Sequence, residues 1–150
     1  MRTTLDTRTS TLHLDQQLCF ALYSSSRMIV QAYDEYLKEL NITYPQYLVM
    51  MALWQNRINT IKDLGEILLL DSGTLSPMIK KLQLKGLVKK ARSQADERIV
   101  FVELTAAGKV MQKAALKIPE QMLCKLSLKP KEFVELRGQL QNLAQVLKKD

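Results

Sequence analysis

The chain has 150 residues and a formal net charge of +7, and 47% of its residues are hydrophobic. This apolar content excludes a disordered chain, and the length is that of one domain, or of one small domain with appended helices. A basic balance in a chain of this size favours a polyanionic partner, either nucleic acid or an anionic membrane surface.

The first two predicted helices lie on either side of Asn41. Apolar residues at spacings of three and four predict a helix over residues 12–40. Asn41 ends this helix because asparagine tolerates the left-handed backbone that often follows one. Tyr44 and Pro45 open the second helix. Proline is tolerated in the first turn because the N–H that it lacks would have no partner within the helix. Apolar residues on most faces of this second helix indicate that it is buried.

A helix-turn-helix unit follows. Thr60 predicts a cap for a short helix over 61–68. Residues 71–73 predict a tight turn, and a second helix runs over 74–85 with Pro77 in its first turn. Two short helices joined by such a turn are typical of DNA-binding proteins.

After Gly86 the apolar residues no longer repeat about every 3.6 residues, as in a helix, but every second residue, as in a strand. The segments 87–91 and 99–104 predict two strands of a hairpin, and the polar residues 93–97 form the loop between them. This hairpin is the wing of a winged helix.

Two more helices complete the chain. Thr105 caps a helix that runs to about Cys124, in which Gly108 is a mild weakening and Pro119 a kink. A last helix covers 130–148. Its apolar stripe, like that of the first helix, exceeds what a small central domain can cover, so we expect both to pack against a second copy of the chain.

The predicted fold is therefore mainly helical (α+β), a winged helix-turn-helix with long terminal helices that form a dimer interface. Residues 1–42 are assigned to an N-terminal dimerisation helix that carries Cys19. Residues 43–105 form the DNA-binding domain, and residues 106–150 the C-terminal dimerisation helices.

The positive charge is concentrated on the second helix of the unit and on the wing. Seven lysines and arginines but only two acidic residues lie between positions 80 and 98. Such residues neutralise phosphates. Arg98 is suited to a minor groove, with Asp96 fixing its guanidinium, although the pair also fits an ordinary hairpin ion pair. The candidate DNA-binding residues are Ser72, Thr74, Ser76, Lys80, Lys81, Lys89, Lys90, Arg92, Asp96 and Arg98.

Targeting and metal signals are lacking. Thr3 and Asp6 break any apolar run after Met1, and no stretch approaches the roughly 20 apolar residues of a membrane span. We therefore expect a cytoplasmic protein without a membrane partner. One His and two Cys do not make a persuasive zinc site, so no metal and no cofactor are expected. In a reducing compartment, Cys19 and Cys124 indicate redox or core roles rather than a structural disulfide.

Several segments resemble one family of regulators. The wing signature Asp-x-Arg, five residues, Leu-Thr is present as Asp96, Arg98, Leu104 and Thr105. With the segments 18–23, 40–47 and 70–81, it makes the chain similar to the MarR family, and within it to the regulators that sense organic hydroperoxides.

The resemblance implies a homodimeric repressor that binds a near-palindromic operator in double-stranded DNA. It implies that an organic hydroperoxide oxidises Cys19, that Tyr33 and Tyr44 hold its thiolate, and that Cys124 resolves the product as an intersubunit disulfide. Some members of the family lack the second cysteine and use small thiols instead. Helical spacing adds Tyr23, one turn from Cys19, as a further thiolate donor.

Other interpretations remain open at this stage. By residue type alone, a cysteine among leucines and phenylalanine is more often a small buried hydrophobe. The chain would then be a MarR-type repressor that responds to a small ligand, with Cys19 structural. An enzyme is not expected: a thiol peroxidase is less favoured, because no Arg or Thr accompanies Cys19 at motif spacing and the thioredoxin-like alternation of strands and helices is lacking.

Overall fold

The computed structural model describes residues 12–56 and 58–148. The first eleven residues of the segment assigned to the N-terminal dimerisation helix, and the last two of the C-terminal segment, lie outside this range. The described part is mainly helical with one small antiparallel sheet. The chain forms two compact units, and the boundary between them lies between Tyr47 and Leu48.

The first unit is dominated by the long helix α1, Leu18–Glu39. The prediction that this helix begins at residue 12 is wrong. Leu14–Gln16 form one 3-10 turn, and Gln17 then adopts extended backbone, which interrupts the helical hydrogen bonding. The predicted end is confirmed, because Asn41 adopts a left-handed φ of 53°.

Helix α2, Tyr44–Asn56, begins at the predicted proline turn. In the second unit its side chains Val49, Met50 and Leu53 are fully buried, which confirms the prediction of a buried helix. Apolar residues on most of its faces account for this burial.

The helix-turn-helix consists of α3, Ile61–Leu68, and α4, Ser72–Leu84. Thr60 caps α3 in a capping box with Asp63, as the sequence predicts for Thr60. Leu69 closes α3 with a left-handed φ of 56°. The expected turn over 71–73 is shorter than predicted, because Asp71 caps α4 and places Ser72 and Gly73 inside the helix.

Because α4 starts at Ser72, Pro77 lies inside the helix rather than in its first turn. Proline has no N–H to donate to the carbonyl oxygen four residues earlier, which belongs to Gly73. Both residues are exposed, so water can hydrate that carbonyl oxygen. Leu75, Ile79 and Leu82 anchor the opposite face of α4 in the core.

The wing is formed by β2, Val88–Arg92, and β3, Val100–Leu104, which pair antiparallel in the register Val88↔Leu104 to Arg92↔Val100. A third strand, β1, Ile58–Thr60, pairs with the other edge of β3 and gives the order β1-β3-β2. The sequence predicted two strands, because three residues that lead into a helix cap have no recognisable strand period. Together, the two helices and the hairpin confirm the winged helix-turn-helix.

The predicted helix from Thr105 to Cys124 is divided into α5, Ala106–Ala115, and α6, Ile118–Lys125. Pro119 explains the break, because its ring conflicts with the carbonyl four residues earlier, that of Ala115. Helix α7, Pro130–Leu147, agrees with the predicted last helix, and none of its residues is buried. Among residues 12–56 and 58–148, no helix is long and apolar enough to cross a membrane.

Candidate functional site

The N-terminal end of α4 is organised by Asp71. Its carboxylate accepts the backbone N–H of Thr74 at 2.8 Å and the Thr74 hydroxyl at 2.7 Å. These hydrogen bonds hold the pKa of Asp71 below its ordinary value. Thr74 was predicted to contact DNA, but its hydroxyl proton is already donated to the cap, so this group has only acceptor capacity left. Ser72 and Ser76 lie on the same end of the helix.

The wing loop holds one arginine in a fixed position. The Asp96 carboxylate accepts the backbone N–H of Arg98 at 3.0 Å, its Nε at 3.1 Å and its Nη2 at 3.4 Å. The same hydrogen bonds lower the pKa of Asp96. The Arg98 side chain is nevertheless 92% exposed, so the guanidinium is oriented by the protein and open to an anionic partner.

Most other predicted basic residues are exposed on α4 and the wing. Lys89 differs from these residues because it forms a salt bridge: its Nζ lies 2.9 Å from the carboxylate of Glu103 on the neighbouring strand. This salt bridge reduces the charge that Lys89 offers to a phosphate. The exposed group consists of Lys80, Lys81, Lys90 and Arg92.

A groove of about 910 Å³ lies between α3, the start of α4 and the wing. Ser72, Ser76 and Arg98 line it together with the apolar residues Leu69 and Ile99. The fold therefore brings predicted DNA-binding residues from two separate segments to one concave surface. The sequence does not reveal this groove, since it depends on how the hairpin folds back toward the helices.

Three tyrosines form a cluster in the first unit. The ring centroids of Tyr33 and Tyr44 are 4.7 Å apart, and Tyr47 lies 6.0 Å from Tyr33 and 6.5 Å from Tyr44. Burial, with the neighbouring phenols Tyr44 and Tyr47, raises the pKa of Tyr33 to about 12. Burial also raises the pKa of Tyr44, and that of Tyr47 with Tyr44 as a further cause. The cluster therefore keeps its O–H groups at neutral pH.

Tyr47 is the member of this cluster that the sequence analysis missed. It is 2% exposed, and it follows Tyr44 by three residues on α2. That spacing places the two rings on one face of the helix and could have identified Tyr47.

Cys19 lies in the first turn of α1, and its thiol is free and exposed. Tyr23 follows one turn later and is also exposed. Its hydroxyl oxygen accepts Nη1 of Arg27 at 2.7 Å, and the guanidinium carbon lies 5.5 Å from the ring centroid. Arg27 follows Cys19 by eight residues on α1 and was not among the predicted site residues.

Cys124 lies in the last turn of α6 and is likewise free and exposed. Within the residues that the structure describes, no group of three or more His, Cys, Asp or Glu side chains could hold a metal ion.

The chain is similar to known transcriptional regulators. A family model described as the transcriptional regulator SarA/Rot matches residues 31–115. The chain is 41% identical over 136 residues to the organic hydroperoxide resistance transcriptional regulator of Bacillus subtilis, covering 91% of this chain and 92% of that protein.

Solved structures agree. Reduced AbfR bound to DNA, a protein of Staphylococcus epidermidis, matches with a TM-score of 0.79 and 37% identity over 93% of this chain and 96% of that one. A disulfide-formed AbfR matches with a TM-score of 0.64 and 36% identity over 94% of each chain. A mutant of Escherichia coli MarR complexed with operator DNA matches with a TM-score of 0.76 and 25% identity, covering 84% of this chain and 92% of that one.

Proposed function

Because the chain belongs to the MarR/SarA family of DNA-binding transcriptional regulators, we propose that it is a dimeric repressor that releases its operator when an organic hydroperoxide oxidises Cys19. The exposed thiol of Cys19 carries the redox part of this proposal. A thiol in the core of the protomer would be buried, so this exposure excludes a core role within one protomer and lets a peroxide reach the sulfur.

The groove between α4 and the wing supports a DNA-binding mode. Ser72 and Ser76, at the N-terminal end of α4, approach base edges and phosphates in the major groove. Arg98, held by Asp96, enters the adjacent minor groove. Lys80, Lys81, Lys90 and Arg92 neutralise phosphates beside these contacts, which makes the affinity fall with salt concentration.

The thiolate site is completed by a second copy of the chain. Cys19 and Tyr33 belong to one continuous helix and are fourteen residues apart. At about 1.5 Å per residue they are roughly 21 Å apart along its axis, too far for a hydrogen bond within one protomer. In the dimer, Tyr33 and Tyr44 of one protomer donate to the Cys19 thiolate of its partner. The raised pKa values of both phenols keep these donors protonated.

Oxidation begins when the Cys19 thiolate attacks the terminal oxygen of the hydroperoxide. An S–O bond forms and the O–O bond breaks. The departing alkoxide takes up a proton and leaves as an alcohol, so the peroxide is reduced by two electrons while Cys19 becomes a sulfenic acid. The thiolate of Cys124 from the partner then attacks this sulfur. An S–S bond forms, the S–O bond breaks, and hydroxide leaves and is protonated to water.

The disulfide acts on DNA binding through helix movement. A disulfide requires Cα atoms within about 7 Å, so a larger separation in the reduced dimer forces α1 and α6 to move. The α4 helices of the two protomers, which enter the DNA, must match successive major grooves roughly 34–36 Å apart. A change in their spacing therefore releases the operator.

The test is a binding titration of the full-length protein on an AT-rich palindromic duplex, with and without one equivalent of cumene hydroperoxide. We expect the peroxide to release the wild type but not Cys19→Ser. We expect Cys124→Ser to become oxidised at Cys19 but to release slowly or not at all. If the wild type and Cys19→Ser both ignore peroxide, redox sensing is wrong; if Cys124→Ser behaves as wild type, the two-cysteine switch is wrong.

The groove supports a second candidate, a repressor that responds to a small aromatic acid. The apolar lining of the groove and the Arg98 guanidinium suit such a ligand. The ligand would compete directly with DNA, because both would occupy the groove. In this case salicylate would release the operator from wild type and Cys19→Ser alike. An enzymatic role such as thiol peroxidase is not proposed, since the relatives are transcriptional regulators.

A further inference from the structure

The groove between α3, the start of α4 and the wing contains a lysine that the sequence analysis did not assign to DNA binding. Lys62 lies in the first turn of α3 and lines this groove together with Ser72, Ser76 and Arg98. Its side chain is 85% exposed. The first helix of a helix-turn-helix crosses the DNA backbone when the second enters the major groove. A phosphate that approaches the groove therefore meets a positive charge from α3 as well as from the wing.

Lys62 does not serve the stability of α3 itself. The N-terminal end of a helix carries a partial positive charge, so a cation in the first turn is unfavourable. This end is already capped, because the Thr60 hydroxyl accepts the N–H of Asp63 at 3.0 Å and the Asp63 carboxylate accepts the N–H of Thr60 at 2.9 Å. Neither capping bond uses the ammonium of Lys62. An anionic partner in the groove gives this charge a role that the helix does not.

Glu66 holds Lys62 in the free protein. It follows Lys62 by one helical turn, lines the same groove, and its Oε1 lies 3.9 Å from Nζ of Lys62. The contact is long and the Glu66 side chain is 69% exposed, so water screens the pair and makes it weak. A phosphate carries the same sign of charge as Glu66. It can therefore replace Glu66 as the partner of Lys62, whereas Glu66 repels it.

We propose that Lys62 binds a backbone phosphate of the operator and that Glu66 competes with this phosphate for Lys62. This inference rests on the DNA-binding part of the proposed function. Lys62 adds α3 to the DNA-binding surface formed by α4 and the wing, with a contact that is independent of base sequence. Glu66 keeps the affinity below the value that the basic residues alone would give.

The experiment measures binding of the reduced full-length protein to an AT-rich palindromic duplex and to a scrambled duplex of the same length and composition, over a range of salt concentrations. We expect Lys62→Gln to weaken binding about eightfold at 0.1 M salt and to reduce the slope of log K against log salt by about one, the effect of one phosphate contact. Both duplexes should lose affinity by the same factor, because a phosphate contact carries no sequence information.

Substitution of Glu66 should act in the opposite direction. We expect Glu66→Gln to raise the affinity about twofold to fivefold, the range of an exposed charge pair. In the Lys62→Gln background the same substitution should raise the affinity less, because no lysine is released for the phosphate.

A second pair on α7 provides matched controls. Nζ of Lys131 lies 3.8 Å from Oε1 of Glu135, one helical turn later, and the two side chains are 87% and 60% exposed. Lys131→Gln and Glu135→Gln therefore make the same changes of charge in the same kind of pair, at a site outside the groove. Both should bind DNA as the wild type does. Circular dichroism and sedimentation confirm that all variants keep the fold and the oligomeric state of the wild type.

The inference is overturned if Lys62→Gln keeps the wild-type affinity and salt dependence while Arg98→Ala loses affinity. If Lys62→Gln weakens binding to the palindrome alone, Lys62 reads bases and the phosphate contact is wrong. If Glu66→Gln gains equally in both backgrounds, Glu66 acts by repulsion alone and the competition is wrong. Failure of the proposed DNA-binding mode looks different, since Arg98→Ala then also binds as the wild type does. No peroxide is used, so these results do not depend on Cys19.

Discussion

The indole N–H of Trp54 in α2 donates a hydrogen bond of 2.9 Å to the backbone carbonyl of Gly108 in α5. Around this contact, the Thr105 hydroxyl accepts the N–H of Gly108 at 3.1 Å and donates to the carbonyl oxygen of Gly86 at 2.6 Å. The N–H of Thr105 donates to the carbonyl oxygen of Leu87 at 3.1 Å. One junction therefore joins α2, the end of α4, the base of the wing and α5.

Replacing Gly108 by alanine should disrupt this junction. A Cβ at Gly108 would overlap the backbone carbonyl oxygen of Leu87 and lie 3.2 Å from Cδ2 of Leu104. The backbone cannot yield without loss of these hydrogen bonds, so we expect Gly108→Ala to lower the free energy of unfolding by about 2–3 kcal/mol in urea denaturation. Gly138→Ala is the control, since it gains the same helix propensity at a position with nothing within 4 Å. Equal stability of the two variants would contradict the steric argument.

Gly108 also marks a limit of prediction from sequence. The sequence identified it only as a mild helix-weakening residue, because its close neighbour, Leu87, lies across the wing. For the same reason β1 was missed: residues 58–60 become a strand only by pairing with β3. The caps at Thr60 and Thr105 were predicted correctly, since their hydrogen bonds lie within four residues and depend on local sequence.

The candidate site likewise contains some features that local sequence predicts and others that depend on tertiary packing. The pairing of Asp96 with Arg98 was predicted, because two residues in one loop need no tertiary information. The groove that joins Ser76 to Arg98 depends on packing, and no local pattern contains it. Tyr47 was missed although its spacing from Tyr44 on one helix is local.

The Asp71 cap should make α4 sensitive to acid. The pKa of Asp71 is lowered in the folded chain by its bonds to Thr74, from an ordinary value of 3.8. The ionised Asp71 carboxylate therefore stabilises the folded chain fully above pH 3.8, and this stabilisation is lost as the pH falls through the lowered pKa. Asp71→Asn keeps a good N-cap and should retain stability at pH 7 but lose this share of the acid dependence. Asp71→Ala should be less stable at pH 7, as measured by urea midpoints at pH 7 and pH 3. A cap role is excluded if Asp71→Ala matches wild type at both values.

Arg98 should contribute both charge and orientation to operator binding. Arg98→Ala should weaken binding and make log K fall less steeply with log salt, because one positive charge in the narrow groove between the phosphates is lost. Asp96→Ala should weaken binding at constant salt although it removes a negative charge, because the guanidinium is no longer fixed. Lys131→Ala removes a charge from α7 and leaves operator binding unchanged. If Asp96→Ala instead binds more tightly, Asp96 acts on DNA only by repulsion.

The tyrosine cluster predicts a titration step at high pH. Burial and its two phenol neighbours raise the pKa of Tyr33 to about 12. The neutral phenol is the favoured form in the folded chain, so its stabilisation is present below about pH 10 and is lost as the pH rises toward 12. Absorbance at 295 nm should show the last tyrosine step above pH 11, and Tyr33→Phe should remove it. A single step near pH 10 in a chain that keeps its helical circular dichroism would contradict this.

Helix α7 should be part of the dimer interface. Its apolar stripe includes Leu136, Leu140 and Leu143, which are 46%, 41% and 36% exposed. Water-exposed stripes of this kind are unfavourable, and a second copy of the chain can cover them. Leu140→Glu places a charge in that interface, so sedimentation should show a shift from dimer to monomer, and operator affinity should fall because a monomer contacts one half-site. Asn142→Glu is the matched control, since it adds the same charge about 200° around the helix. A dimeric Leu140→Glu would mean that α7 faces solvent and that the partner binds elsewhere.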